Sequence, residues 1–181
     1  MSYLTKGEPQ GVLRSGWSAT VGDYAIAGEW ACNGTLLVVG DAVGGVYAYE
    51  GTSGTVRWQH PAAHATGLLA MAIHPNSTIL ATSGQDGRIL LWNTEDGSRT
   101  QTIELGNQWV EHLAWSADGT LLAGSSSRRV HVFDSNGEEA WRTEDHPSTV
   151  SAIAWSGSEE LATACYGRVS FFDAFTGDLN Q

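Results

Sequence analysis

Lysine is all but missing from this chain: Lys6 is the only one, and the remaining basic residues are arginines. Acidic residues outnumber basic ones by 20 to 9, for a net charge of −11. A surface of that sign repels phosphate and anionic lipid, which argues against nucleic-acid and membrane-surface binding; solubility is its plainest reading. Cysteine is as scarce as methionine, at two residues each. Cys32 and Cys165 stand far apart, in no C-x-x-C or Cys/His ligand spacing, and both fall in apolar runs, so two buried free thiols are expected. No run approaches the ~18 apolar residues of a membrane-spanning helix. The first 16 residues lack the apolar core of a signal peptide, so a cytoplasmic, reducing compartment is the expectation. Long stretches with apolar residues at helical period are missing too.

What is abundant is glycine, with 22 residues, and tryptophan, with 8. Apolar runs punctuated by glycine and rich in aromatics predict an all-β chain with many tight turns. Those runs repeat. Residues 30–37 (WACNGTLL), 73–80 (IHPNSTIL), 115–122 (WSADGTLL) and 155–161 (WSGSEEL) share one pattern, spaced by 43, 42 and 40 residues. Each unit reads as an apolar strand, a turn of Asn, Asp or Gly type, a second strand, a tight hairpin, and a third strand ending in an aromatic and a polar residue. The third-strand ends are Tyr49-Glu50, Trp92-Asn93, Phe133-Asp134 and Phe172-Asp173. A further Gly-bearing turn leads to a fourth strand, as around Trp58 and Trp141. A period of ~40–45 residues is that of a four-stranded propeller blade.

On these residues the chain resembles the WD-repeat family. The resemblance covers about residues 17–178 and implies a β-propeller of four-stranded antiparallel blades, with about four blades' worth of strands, in units of about 23–60, 64–104, 107–143 and 146–178. The second unit matches most fully: by resemblance His64, Thr82, Asp86 and Trp92 form the family's structural tetrad. The others depart from it. Val43 stands where the first unit's hairpin aspartate belongs, and the third and fourth hairpins, at 126–129 and 165–168, lack that aspartate.

Residues 13–20 align with the fourth strands around Trp58 and Trp141, so the expected sixteen strands are out of phase by one: a fourth strand first, three full blades, then three strands. The strand at 13–20 could complete the last blade and remove its exposed edge. Blades stack face to face, and an open half-ring leaves two apolar faces wet. Three arrangements follow: two chains closing an eight-bladed ring with two-fold symmetry, a piece of a longer propeller, or four blades closing alone.

Nothing in the sequence points to reaction chemistry. His60, His64, His74, His112, His131 and His146 form no metal-ligand spacing; His131 is expected in a strand, and His74 and His146, each before a proline, at the surface. No G-x-S-x-G elbow surrounds the serines, and the glycine-rich segment 40–45 lies between strands and not before a helix, so it cradles no phosphate. Trp30, Trp115 and Trp155 recur at one repeat position and Trp17, Trp58 and Trp141 at another, which means blade packing. Trp109 belongs to neither series. With Tyr24, Gln85 and Tyr166 it is the candidate partner-binding face, because aromatics are enriched at interaction hot spots. The expected function is a non-catalytic protein-protein interaction scaffold for a protein or peptide, with no cofactor and no metal. Two alternatives stand beside it. One is a quinoprotein-like propeller with cofactor-linked activity, since residues 45–58 look like a tryptophan-docking repeat. The other is a structural or vestigial half-propeller.

Overall fold

The computed structural model describes residues 16–180, and within them the chain is almost entirely strand and turn. Four antiparallel sheets follow one another in sequence. Blade 1 contains β1 (Ala25–Ala31), β2 (Leu36–Asp41), β3 (Val46–Glu50) and β4 (Val56–His60). Blade 2 contains β5 (Leu68–Ile73), β6 (Ile79–Gly84), β7 (Arg88–Asn93) and β8 (Arg99–Glu104). Blade 3 contains β9 (Val110–Trp115), β10 (Leu121–Ser126), β11 (Arg129–Asp134) and β12 (Glu139–Arg142). Blade 4 has three strands, β13 (Val150–Ser156), β14 (Glu160–Cys165) and β15 (Arg168–Asp173). Every strand pairs with its sequence neighbour, as short hairpin turns dictate.

The repeat extends to irregularities. Between third and fourth strands the register slips at Ala48/Tyr49, Leu91/Trp92 and Val132/Phe133, the same place in three blades. Such a bulge twists the sheet locally, and its recurrence gives each blade the same coil.

The apolar core lies between blades and not within one. Val38, Val46 and Ala48 of blade 1 pack on Leu68, Leu80 and Leu90 of blade 2. Ile89 and Leu91 pack on Val110 and Leu122 of blade 3, whose Val130 and Val132 pack on Val150 and Leu161 of blade 4. Each fully buried side chain of this size contributes about 1.5–3 kcal/mol, so the stack is stabilised seam by seam.

The seams carry the tryptophan series. Trp115 donates through Nε1 to the Ala72 carbonyl at 3.2 Å, and Trp155 to that of Ala114 at 3.0 Å, each reaching into the preceding blade. Trp58 donates to the Thr94 carbonyl at 2.8 Å and Trp141 to that of Ala174 at 2.7 Å, each reaching into the following one.

Three expectations change. Of the strand expected at 13–20, residues 13–15 lie outside the described residues. Residues 16–20 form no strand; side-chain bonds hold them on blade 1 instead, Trp17 donating to the Gly51 carbonyl at 2.8 Å and the Tyr49 hydroxyl to the Thr20 carbonyl at 2.9 Å. Cys165 is a buried free thiol, but Cys32 is only half-buried. Cys32 stands in a short 3-10 turn, Cys32–Gly34, at φ 50°, where the chain turns outward and does not continue β1. His146 is buried and not at the surface.

Candidate functional site: a buried hydrogen-bond cluster and an exposed aromatic rim

Blade 2 ties its parts together through four side chains. His64 comes from the loop before β5, Thr82 from β6, Asp86 from the β6–β7 turn and Trp92 from β7. The Trp92 indole N–H donates to Thr82 Oγ1 at 2.9 Å, and His64 Nε2 lies 2.9 Å from the same oxygen. His64 Nδ1 stands 3.0 Å from Asp86 Oδ1, while the backbone N–H of Ala65 donates to Asp86 Oδ2 at 3.0 Å. The roles follow from what each group can do. An ionised carboxylate only accepts, so Nδ1 carries the proton, Nε2 accepts, and the Thr82 hydroxyl donates to it while accepting from Trp92. Burial pushes the His64 pKa down, more than the neighbouring Asp86 raises it, so the imidazole is neutral. Burial raises the Asp86 carboxyl, but the bonds from His64, Ala65 and Arg88 outweigh it and hold the pKa below the usual carboxylate value. Every donor and acceptor here has a partner inside the blade. The arrangement fixes a loop to a sheet and leaves no group free for a substrate.

Two related clusters escaped the sequence reading. In blade 4, His146 Nε2 lies 2.8 Å from Thr163 Oγ1, its Nδ1 faces the Arg128 carbonyl at 3.0 Å, and the Phe172 ring packs beside it. A backbone carbonyl does there what Asp86 does in blade 2. The signal was the spacing: His146 precedes Thr163 by 17 residues, as His64 precedes Thr82 by 18. In blade 1 the buried Asp41 does the work of the missing hairpin aspartate, two positions before Val43. Its Oδ1 accepts from Gly45 N–H at 2.7 Å and Val43 N–H at 3.2 Å, and its Oδ2 from Asp23 N–H at 3.2 Å. Burial, then this carboxylate, push the Tyr47 hydroxyl above its ordinary pKa.

The second feature is a rim. Tyr24 precedes β1, Trp109 precedes β9, Gln85 sits in the β6–β7 turn and Tyr166 in the β14–β15 turn. First strands begin where second strands end, so all four lie at one end of the blades, one on each blade. Tyr24, Trp109 and Tyr166 are exposed by 76%, 51% and 89%, whereas Gln85 is half-covered. Trp109 lines a cleft of about 240 Å³ with Asn107, Gln108, Glu111, Ser127 and Thr149. No cluster of His, Cys, Asp and Glu that could hold a metal occurs among the described residues. The segment 45–58 that resembles a tryptophan-docking repeat forms β3, a turn and β4, and its Trp58 is buried under blade 2.

A family model described as WD domain, G-beta repeat matches residues 54–93 and 97–134. These are WD40 repeats. Each match starts two residues before a fourth strand and ends with the third strand of the next blade, so the WD40 unit spans a seam. The chain is 27% identical over 135 residues to the human (Homo sapiens) F-box-like/WD repeat-containing protein TBL1Y, covering 65% of this chain and 26% of that protein. It is 26% identical over 165 residues to the WD repeat-containing protein SL1-17 of Schistosoma mansoni, covering 84% and 55%. It is 33% identical over 119 residues to Cell division cycle 20.5, cofactor of APC complex, of Arabidopsis thaliana, covering 56% and 26%. The chain thus spans between about a quarter and just over half the length of these WD40-repeat relatives. A chain in the crystal structure of the mitotic checkpoint complex superposes with a TM-score of 0.76 at 25% identity, over 86% of this chain and 49% of that one. The propeller architecture read from the repeat period is therefore that of a solved WD40 protein.

Proposed function

We propose that the chain is a non-catalytic scaffold that holds a protein or peptide partner on the rim carrying Tyr24, Gln85, Trp109 and Tyr166. The observation that carries this reading is the exposure of Tyr24, Trp109 and Tyr166 on three blades at one end of the stack, in a chain that buries Trp58 and Trp92 in its seams. A large exposed aromatic on a rigid support gains more by covering its surface than it loses in side-chain freedom. The relatives support it: one is named a cofactor of a complex, and the superposed chain was solved inside one. The tetrad groups are consumed by each other, which leaves the loops of the rim, and not buried chemistry, to engage a ligand. The free thiols Cys32 and Cys165 suit a reducing compartment, and we place the chain in the cytoplasm. A second copy of the chain is a further partner we propose.

The test is a triple variant, Tyr24→Ala, Trp109→Ala and Tyr166→Ala, compared with the native chain in proximity cross-linking from cells. Because these side chains are exposed, folding by circular dichroism stays unchanged, and the set of cross-linked proteins loses its most enriched members. An identical set from both chains would sink the rim as the binding face.

A further inference from the structure

The seams between blades follow one rule, and the two outer faces of this stack carry the two halves of that rule without a partner. In blades 1 to 3 the third strand presents two residues to the next blade, three and one positions before its closing aromatic. They are Val46 and Ala48, Ile89 and Leu91, and Val130 and Val132, all at most 2% exposed. The same positions in blade 4 are Val169 and Phe171, exposed by 61% and 44%. On the same face, across β14 from them, the outward residues of β13, Ala152, Ala154 and Ser156, are exposed, small and uncharged.

The other half of the rule is the first-strand tryptophan. Trp115 and Trp155 each donate to the carbonyl one residue before the matching position of the preceding blade. Trp30 stands at that position in blade 1, is half-exposed, and donates no hydrogen bond among the described residues. By the same offset its acceptor is the carbonyl of Ala154. A third correspondence concerns the outer strands. Trp17 holds the Gly51 carbonyl as Trp58 holds that of Thr94 and Trp141 that of Ala174. Residues 17–20 thus lie on blade 1 where the fourth strand of a preceding blade would run. In blade 4, among the described residues, the fourth-strand place is taken only by Leu179, bridged to Phe172, and by Asn180, whose N–H donates to the Phe171 carbonyl at 2.8 Å. Beside it lies an open slot of about 350 Å³, bordered by Arg142, Arg168, Ser170 and Phe172.

We propose that a second copy fills both vacancies: its blade 1 docks on the open face of blade 4, and the reverse, closing a two-fold ring of eight blades. The partner's Trp30 donates to the Ala154 carbonyl and lies against Ser156, as Trp115 lies against His74 at 4.8 Å between ring centres. The partner's Trp17 and the residues after it continue along β15 beyond Leu179 and Asn180. A second copy suits these faces because one chain carries both complementary halves, which do not meet among the described residues. A heterologous contact repeated by a two-fold axis leaves no face open. This inference rests on reading the chain as a binding module, yet its test needs no other partner, so its failure leaves the rim untouched.

The experiment is solution mass by multi-angle light scattering over a range of micromolar concentrations. The native chain is expected at twice 19.3 kDa. Phe171→Asp and Trp30→Ala each return it to a folded species of 19.3 kDa, whereas Val56→Glu, on the outer strand where other blades carry Arg99 and Glu139, leaves the mass unchanged. A folded native monomer, a dimer indifferent to both face substitutions, or a ladder of higher multiples would each overturn the closed ring. A monomer would leave a further blade of another chain segment as the occupant.

Discussion

Thr82 shows how much one hydroxyl can hold. It accepts from Trp92 and donates to His64, so removing it strands two buried groups at once. Thr82→Val, nearly equal in shape, is expected to cost about 1–3 kcal/mol, read as a lower urea midpoint, whereas Thr82→Ser keeps most of the stability. Equal midpoints for the two variants would show that the hydroxyl does not matter. The same cluster predicts a pH dependence. Folding lowers the His64 pKa from 6.5, so the folded state binds fewer protons than the unfolded chain. The stability this contributes is complete above pH 6.5 and is lost as pH falls through the folded value. Asp86, lowered from 3.8, loses its share below that point, as does Asp118, which Ser116 and Thr120 hold at about 2. Thermal melting is therefore expected to decline in two stages on acidification, the first beginning near pH 6.5. A melting temperature that stays flat until the carboxylates titrate would contradict a neutral, buried His64.

Between elements, the recurring joint is a fourth-strand tryptophan over a turn glycine of the next blade. Trp58 covers Gly97 and Trp141 covers Gly177, and Trp17, which lies in no strand, covers Gly54 in the same way. Gly97 has φ 73°, and a Cβ there would stand 2.6 Å from the Trp58 ring. Gly97→Ala thus meets backbone strain and a clash together. Gly157→Ala, at φ 64° with open space around it, meets strain alone, about 1–2 kcal/mol. Trp58→Ala empties the joint from the other side and is expected to cost about 3–5 kcal/mol. Equilibrium denaturation checks the order: Trp58→Ala and Gly97→Ala well below Gly157→Ala. Equal losses for the two glycines would mean that the joint is not packed as described.

At the scale of the whole molecule, stability and association share one cause. Blades bury little within themselves and much against each other, so the stack has a sticky face wherever it lacks a neighbour. Val169, Phe171 and Trp30 are exposed for that reason, and Tyr24, Trp109 and Tyr166 for a different one: they lie at the blade ends, where no neighbouring blade reaches. The two patches are separable by mutation, which is why loss of ring closure and loss of rim binding are distinct outcomes.

The period of 43, 42 and 40 residues was enough to read the propeller, because a blade is a local object: hairpins join neighbours in sequence, and glycine and aromatic positions mark their ends. The period alone does not bring His64, Thr82, Asp86 and Trp92 together; the resemblance to the WD-repeat family implied that set, and the structure joins the four by hydrogen bonds within one blade. Asp41 drew no reading, because it binds backbone N–H groups of Val43, Gly45 and Asp23, which leave no mark in the sequence, whereas His146 was expected at the surface although its spacing to Thr163 matches that of His64 to Thr82. Nor could the sequence separate Trp30 from Trp115 and Trp155: at the same repeat position, the second and third reach a preceding blade and the first does not. The strands were fixed locally, by turns and alternation. Which of their faces are covered was decided only by the tertiary structure, because burial depends on the neighbour across the seam and not on the residue itself.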